Sequence, residues 1–243
     1  MERLQSNFIV AAWLVCALLL TGCQRDANSS QQEQRKTAAP GSTAAAETAG
    51  TPSPQPAAPD QRPVIVAFGD SLTAGVAAGK SYPEDLEDLL QKQGYGYRVD
   101  NQGVSGDTTT DGLARIDNVI AAHPVLVLLE FGGNDGLRGI PVEATHKNLE
   151  EMIERLTAAK IPIVLLGITL PPNYGPDYVK PFTAIFPELA KKYKLKLMPF
   201  LLVHVYQTPG MMQPDGIHPS GEGNKIVAKD VFDLIRPLLT RTP

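Results

Sequence analysis

Apolar residues gather in short continuous runs at Val64–Phe68, Val125–Phe131 and Ile161–Ile168, with weaker runs at Tyr97–Asn101 and Leu195–Met198. Runs of this length without polar alternation fit strands buried on both faces. Between them the period changes to a helical one. Ser81 and the acids Glu84 and Asp85 predict a helix start and Gly94 its end; Asp107 is a candidate cap for a second helix running to about Ala122. Pro141 suits the first turn of a helix over Val142–Lys160, whose Leu149, Met152, Ile153 and Leu156 share one face. A further helix is expected within Asp177–Tyr193, begun or interrupted by Pro181 and Pro187, and a last one from about Gly221 to Leu239. Strands alternating with helices imply an α/β domain with a parallel sheet, whose sites lie beyond the carboxyl ends of its strands.

The chain ahead of that domain reads differently. Phe8–Leu20 is apolar but shorter than the roughly 20 residues a spanning helix needs, and Arg3 precedes it, although Glu2 does too. Leu20-Thr21-Gly22-Cys23 resembles the lipobox of bacterial lipoproteins. This implies a signal peptide over residues 1–22, cleavage before Cys23 and a diacylglycerol on its thiol. Cys16 would leave with the signal, so the mature chain would hold no disulfide. The stretch up to residue 62 is rich in Gln, Ala, Ser, Thr and Pro and has no bulky apolar side chain. It is expected to be a disordered tether reaching about 35 Å, ahead of a single domain over residues 63–243. Gln24 resembles the sorting pattern of outer-membrane lipoproteins, so the expected location is the bacterial cell envelope.

Net charge is −4 with 20% charged residues, and no basic stripe is present, which excludes a nucleic-acid partner. The histidines at 123, 146 and 204 pair at no metal-ligand spacing, so neither metal nor other cofactor is expected.

The candidate chemistry sits at two points. Gly69-Asp70-Ser71-Leu72-Thr73 follows the first apolar run, and Asp215-Gly216-Ile217-His218-Pro219 lies near the end. A serine hydroxyl becomes a useful nucleophile when an imidazole takes its proton and a carboxylate fixes that imidazole. Asp-x-x-His lets one loop present both. An oxyanion needs donors as well, for which the candidates are the Ser71 N–H at a strand-to-helix turn, the Gly106 N–H and the Asn134 side chain. The nucleophile elbow of the α/β-hydrolases is excluded, because its second glycine position is Thr73 here. Asp70 is expected to be a structural partner of the turn, and Asp135 to lie outside the reacting groups. Tyr174 either lines an acyl groove or shapes a loop.

Gly69-Asp70-Ser71-Leu72, Ser105-Gly106-Asp107-Thr108, Gly133-Asn134-Asp135 and Asp215-x-x-His218 resemble, in order, the four blocks of SGNH (GDSL) hydrolases. Gly132–Gly139, Pro172–Gly175 and Met212–Pro219 extend the resemblance to the bacterial subgroup of thioesterase I, lysophospholipase and arylesterase enzymes. The resemblance implies a three-layer α/β/α flavodoxin-like fold of about five parallel strands and catalysis without a metal. Ser71 would be the nucleophile, His218 the general base and then acid, and Asp215 the group that orients it. Ser71, Gly106 and Asn134 would form the oxyanion hole, and Gly136–Ile140 a mobile loop. The expected activity is hydrolysis of a small-molecule acyl ester or lipid (lysophospholipid, aryl or alkyl ester, thioester) by a monomer held at the membrane through its anchor. Two alternatives are an O-acetylesterase of envelope carbohydrate and a binding lipoprotein without catalysis. The anchor has its own test: a Cys23→Ser variant is expected to lose incorporation of labelled fatty acid, and retention of the label would refute lipidation at Cys23.

Overall fold

A computed structural model describes residues 60–241. The expected signal peptide, Cys23 and most of the tether lie outside the described residues. Arg62, assigned by sequence to the end of the tether, is docked on the domain: it donates to Tyr97 O at 3.2 Å and pairs with Glu87 at 2.8 Å.

The five apolar runs become five strands: β1 (Val64–Gly69), β2 (Arg98–Gly103), β3 (Leu126–Glu130), β4 (Ile163–Leu166) and β5 (Lys196–Met198). All pairings are parallel, in the order β2-β1-β3-β4-β5. β1, β3 and β4 are buried along their whole length, which is why their sequences are continuously apolar. The chain steps one way from β1 to β2 and the other way through β3, β4 and β5. Right-handed crossovers therefore place helices on both faces. α2 (Tyr82–Lys92) packs with α8 (Gly221–Ile235), while α6 (Val142–Ala158) lies between α3 (Thr109–Ala114) and α7 (Pro176–Tyr193). The result is a three-layer α/β/α domain.

Local chemistry moves several expected boundaries. The helix expected from Asp107 to Ala122 is capped by Thr108 instead, which forms a reciprocal capping box with Asp111. It also breaks at Arg115 into α3 and α4 (Ile116–Ala121). α7 runs through both Pro181 and Pro187, because burial of Phe182, Ile185, Phe186 and Leu189 along one face offsets the hydrogen bonds the prolines cannot make. α8 stops at Ile235, where Pro237 turns the chain into a short 3-10 segment over Arg236–Leu238. Two one-turn helices were not anticipated as such: α1 (Ser71–Ala74) and α5 (Gly133–Leu137). Both begin where a strand ends, β1 and β3 respectively, and both carry candidate site residues.

Candidate active site

The order β2-β1-β3 sets the loops that follow these three strands side by side. Ser71 opens α1 directly after β1, Gly106 lies in the turn after β2, and Asn134 lies in α5 after β3. The fourth piece comes from far along the chain. An isolated antiparallel bridge between Met212 and Pro219 closes a loop carrying Asp215 and His218.

The serine, histidine and aspartate predicted from sequence meet. His218 Nε2 lies 2.8 Å from Ser71 Oγ, and His218 Nδ1 lies 2.8 Å from Asp215 Oδ2. The other carboxylate oxygen, Asp215 Oδ1, accepts the backbone N–H groups of Ile217 at 2.9 Å and His218 at 3.0 Å. Partial burial opposes ionisation of Asp215, but the bonds from His218 and Ile217 outweigh it and hold its pKa down to about 2. Asp215 therefore stays anionic throughout the range in which a histidine works as a base. The loop is fixed to the domain by Gln213, whose Nε2 donates to Val76 O at 2.7 Å and Pro219 O at 2.9 Å. Gln213 was not singled out from sequence; its place between Met212 and the Asp-x-x-His pair was the available signal.

The oxyanion candidates also converge, with one refinement. Ser71 occupies the first position of α1, where a backbone N–H has no acceptor within the helix. α1 is only one turn long, so it offers a donor rather than a helix dipole. Gly106 has φ +87°, and this conformation is what requires glycine, since a Cβ there would meet only Arg138 Nη2 at 3.7 Å. Asn134 Nδ2 donates to Asp107 O at 2.9 Å and lies 3.2 Å from Asp70 Oδ2. Both acceptors lie on the nitrogen side of the amide, so its orientation is set by the protein.

Asp107 is not the helix cap expected. Its Oδ2 pairs with Arg115 Nε at 2.8 Å, while Arg115 Nη1 and Nη2 donate to Gln102 O at 2.8 Å and Gly69 O at 2.9 Å. One guanidinium thus ties the ends of β1 and β2 to the Gly106 turn, its carbon 4.5 Å from the centre of the Phe68 ring. Asp135 is buried and accepts Thr109 N at 2.8 Å and Thr145 Oγ1 at 3.2 Å, joining α5 to α3 and α6. Its hydrogen bonds are to these structural partners and to none of Ser71, His218 or Asp215.

Gly136–Ile140, implied to be a mobile loop, is partly helical and tied to its neighbours. Tyr174 Oη donates to Leu137 O at 3.1 Å, Tyr178 Oη to Ile140 O at 2.7 Å and Arg138 Nη2 to Gly106 O at 2.9 Å. Of the two readings of Tyr174, its hydroxyl serves the one that shapes a loop. His204 pairs with Asp230 at 2.8 Å on the surface, away from the residues described above.

Beside Ser71 and Asn134 lies a cavity of about 110 Å³, lined by Leu72, Leu137, Ile168, Leu170, Phe200 and Ile217 among others. Its wall is mainly aliphatic. Beneath Ser71 two carboxylates are buried, Asp70 and Glu130. Burial pushes both above the ordinary carboxylate range, and the charge of Asp70 adds to the effect on Glu130. Sequence reasoning passed over Glu130 because it lies inside an apolar run.

Residues 67–226 match the GDSL-like Lipase/Acylhydrolase family. The chain is 42% identical over 170 residues to an arylesterase of Vibrio mimicus, covering 69% of this chain and 85% of the relative. It is 39% identical over 178 residues to the thioesterase 1/protease 1/lysophospholipase L1 of Escherichia coli K12, covering 72% and 84% respectively. Among solved structures, TesA superposes with a TM-score of 0.69 at 39% identity, covering 72% of this chain and 99% of that one.

The Arg115 clamp gives a prediction for stability. Arg115→Ala is expected to lower it by about 2–4 kcal/mol, since it strips donors from two carbonyls and leaves the Asp107 carboxylate, 15% exposed, unpaired. Arg115→Lys should recover little, because an ammonium cannot span the three acceptors. Urea unfolding of the three proteins checks this, and full recovery in the lysine variant would contradict it.

Proposed function

The chain belongs to the GDSL-like lipase/acylhydrolase family and is a carboxylic ester hydrolase, and within that activity we propose that Ser71, His218 and Asp215 form the catalytic triad acting on esters with apolar acyl groups. The observation that carries this reading is the unbroken pair of 2.8 Å contacts from Ser71 Oγ through the His218 ring to Asp215.

In the first step, Ser71 Oγ attacks the ester carbonyl while His218 Nε2 removes the hydroxyl proton. The carbonyl oxygen becomes an anion, which the Ser71 and Gly106 N–H groups and the Asn134 amide face; each such donor is worth about 2.7–4 kcal/mol of barrier. Asp215 holds the Nδ1–H tautomer and stabilises the imidazolium. Collapse breaks the bond to the leaving oxygen or sulfur, which takes the proton from His218. A water molecule, deprotonated by His218, then attacks the acyl-serine, and the acid departs as Ser71 recovers its proton.

The aliphatic wall of the cavity favours a fatty or aryl acyl group over an acetyl group on a sugar, whose hydroxyls would ask for polar partners. The same feature argues against an envelope-carbohydrate deacetylase. The family's activity argues against a non-catalytic binding protein. The lipidated Cys23 of the proposed anchor would keep the enzyme at an envelope membrane, where lysophospholipids and exogenous esters are within reach. Among the described residues no helix is long and apolar enough to cross a membrane.

Hydrolysis of nitrophenyl esters of graded acyl length by residues 61–243 tests the reading. Rates are expected to rise beyond acetate and, in Ser71→Ala, to fall by about 10⁴-fold or more. Activity confined to acetate would favour the deacetylase, and activity surviving in Ser71→Ala would overturn the triad.

A further inference from the structure

Two carboxylates beneath Ser71 take no part in the triad. Asp70 is 1% exposed and Glu130 is fully buried. The sheet brings them together: Glu130 is registered opposite Gly69, and a Cβ at position 69 would stand 2.5 Å from Glu130 Oε2. Glycine there leaves the space that the glutamate fills.

Their hydrogen bonds are unequal. Asp70 uses both oxygens, Oδ1 accepting Leu72 N at 3.0 Å and Oδ2 facing Asn134 Nδ2 at 3.2 Å. Glu130 uses one. Its Oε2 accepts Thr73 Oγ1 at 2.9 Å and Asp70 N at 3.2 Å, whereas Oε1 is buried with no donor. The ionisable and charged groups facing the pair are Tyr82 of α2, Asp135 of α5, His218 of the last loop and Arg115 at the α3–α4 junction. Among the described residues none of them forms an ion pair with Asp70 or Glu130, and the Arg115 guanidinium is engaged by Asp107 and two carbonyls. Two buried carboxylates without a cation cannot both ionise at neutral pH. The proton belongs on Glu130, with the Asp70 carboxylate as acceptor of the side-chain hydrogen bond between them, and Oε1 is the oxygen left to carry it because Oε2 already accepts two donors.

We propose that Asp70 and Glu130 share a single proton, carried on Glu130 Oε1, and that the Asp70 carboxylate so held is the positioning group for the Asn134 amide. This rests on the reading of Ser71 and Asn134 given above. Reversing the amide would set its oxygen against Asp70 Oδ2 and Asp107 O, so both acceptors keep the N–H edge toward the oxyanion site. Asp107 O fixes one N–H of the amide and Asp70 Oδ2 aims the other, whose longer 3.2 Å contact leaves it to be shared with the substrate oxygen as its charge develops. The shared proton limits the charge beside that oxyanion to one. Because burial raises Glu130 well above the ordinary glutamate range, folding stability declines as pH climbs from that range toward its displaced ionisation, and kcat declines where the pair gains its second charge.

Infrared spectra and pH–rate profiles of wild type, Glu130→Gln and Asp70→Asn test the proposal. The wild type is expected to show the carbonyl band of a protonated carboxylic acid at neutral pH, absent in Glu130→Gln. Glu130→Gln, which is neutral at every pH, should retain most of the neutral-pH kcat and lose the decline that the wild type shows as Glu130 ionises. Asp70→Asn should lower kcat on the order of 10- to 100-fold with KM little changed, less than outright removal of an oxyanion donor. A folded wild type without the band, a Glu130→Gln variant impaired more than Asp70→Asn, or an Asp70→Asn variant with full kcat would each overturn the proposal. Should Glu130→Gln fail to fold, the wild-type band and the Asp70→Asn kinetics decide. The band is read without substrate, so its absence is distinct from a failure of the triad, which Ser71→Ala reports.

Discussion

β1 lies between β2 and β3 with helices over both faces, and its carboxyl end is where Ser71, the proposed nucleophile, emerges. The polar groups delivered to that buried end must be satisfied by protein. Gly69 O accepts both Val104 N and Arg115, Asp70 N finds Glu130, and Thr73 Oγ1 finds the same carboxylate. The groups that satisfy the backbone here are also the ones that set the Gly106 turn and the Asn134 amide in place. Structural pairing and preparation of the site are therefore one network, which explains why charged residues sit at the ends of otherwise apolar strands.

The last loop works under the opposite condition. Asp215 is 43% exposed on its side chain, while the His218 side chain it addresses is only 19% exposed. Solvent screening weakens an exposed pair, so geometry does more here than burial. The two backbone bonds to Asp215 Oδ1 and the Gln213 anchor keep the carboxylate aimed at the ring. The proposed triad therefore couples a buried strand end to a surface loop fixed at Gln213 and at the Met212–Pro219 bridge. The largely apolar cavity beside Ser71 is where the proposed acyl group would leave water.

β1, β3 and β4 were legible in the sequence as continuous apolar runs because both their faces are buried, while the half-buried edge strands β2 and β5 gave only weaker runs. The Asp215–His218 pair was legible from its short spacing, and Ser71 from its motif after the first run rather than from any spacing to that pair. Segments held by distant partners were not. α5 contains two glycines and has weak helix propensity of its own; it forms because Asp135 is gripped by Thr109 and Thr145. α7 hides its continuity behind two prolines, and Thr108 displaced Asp107 as a cap once Arg115 claimed the aspartate. Glu130 becomes meaningful only when the register of β3 on β1 places it opposite Gly69. That fact belongs to the sheet rather than to any local stretch of sequence.

The central claim, that Ser71 is the activated nucleophile, is tested most directly by treating the protein with a fluorophosphonate and locating the adduct by peptide mass spectrometry. Stoichiometric modification confined to the peptide containing Ser71, with loss of esterase activity in step, is the predicted result. Esterase activity persisting in the absence of an adduct at Ser71, or inactivation tracking a different residue, would contradict it.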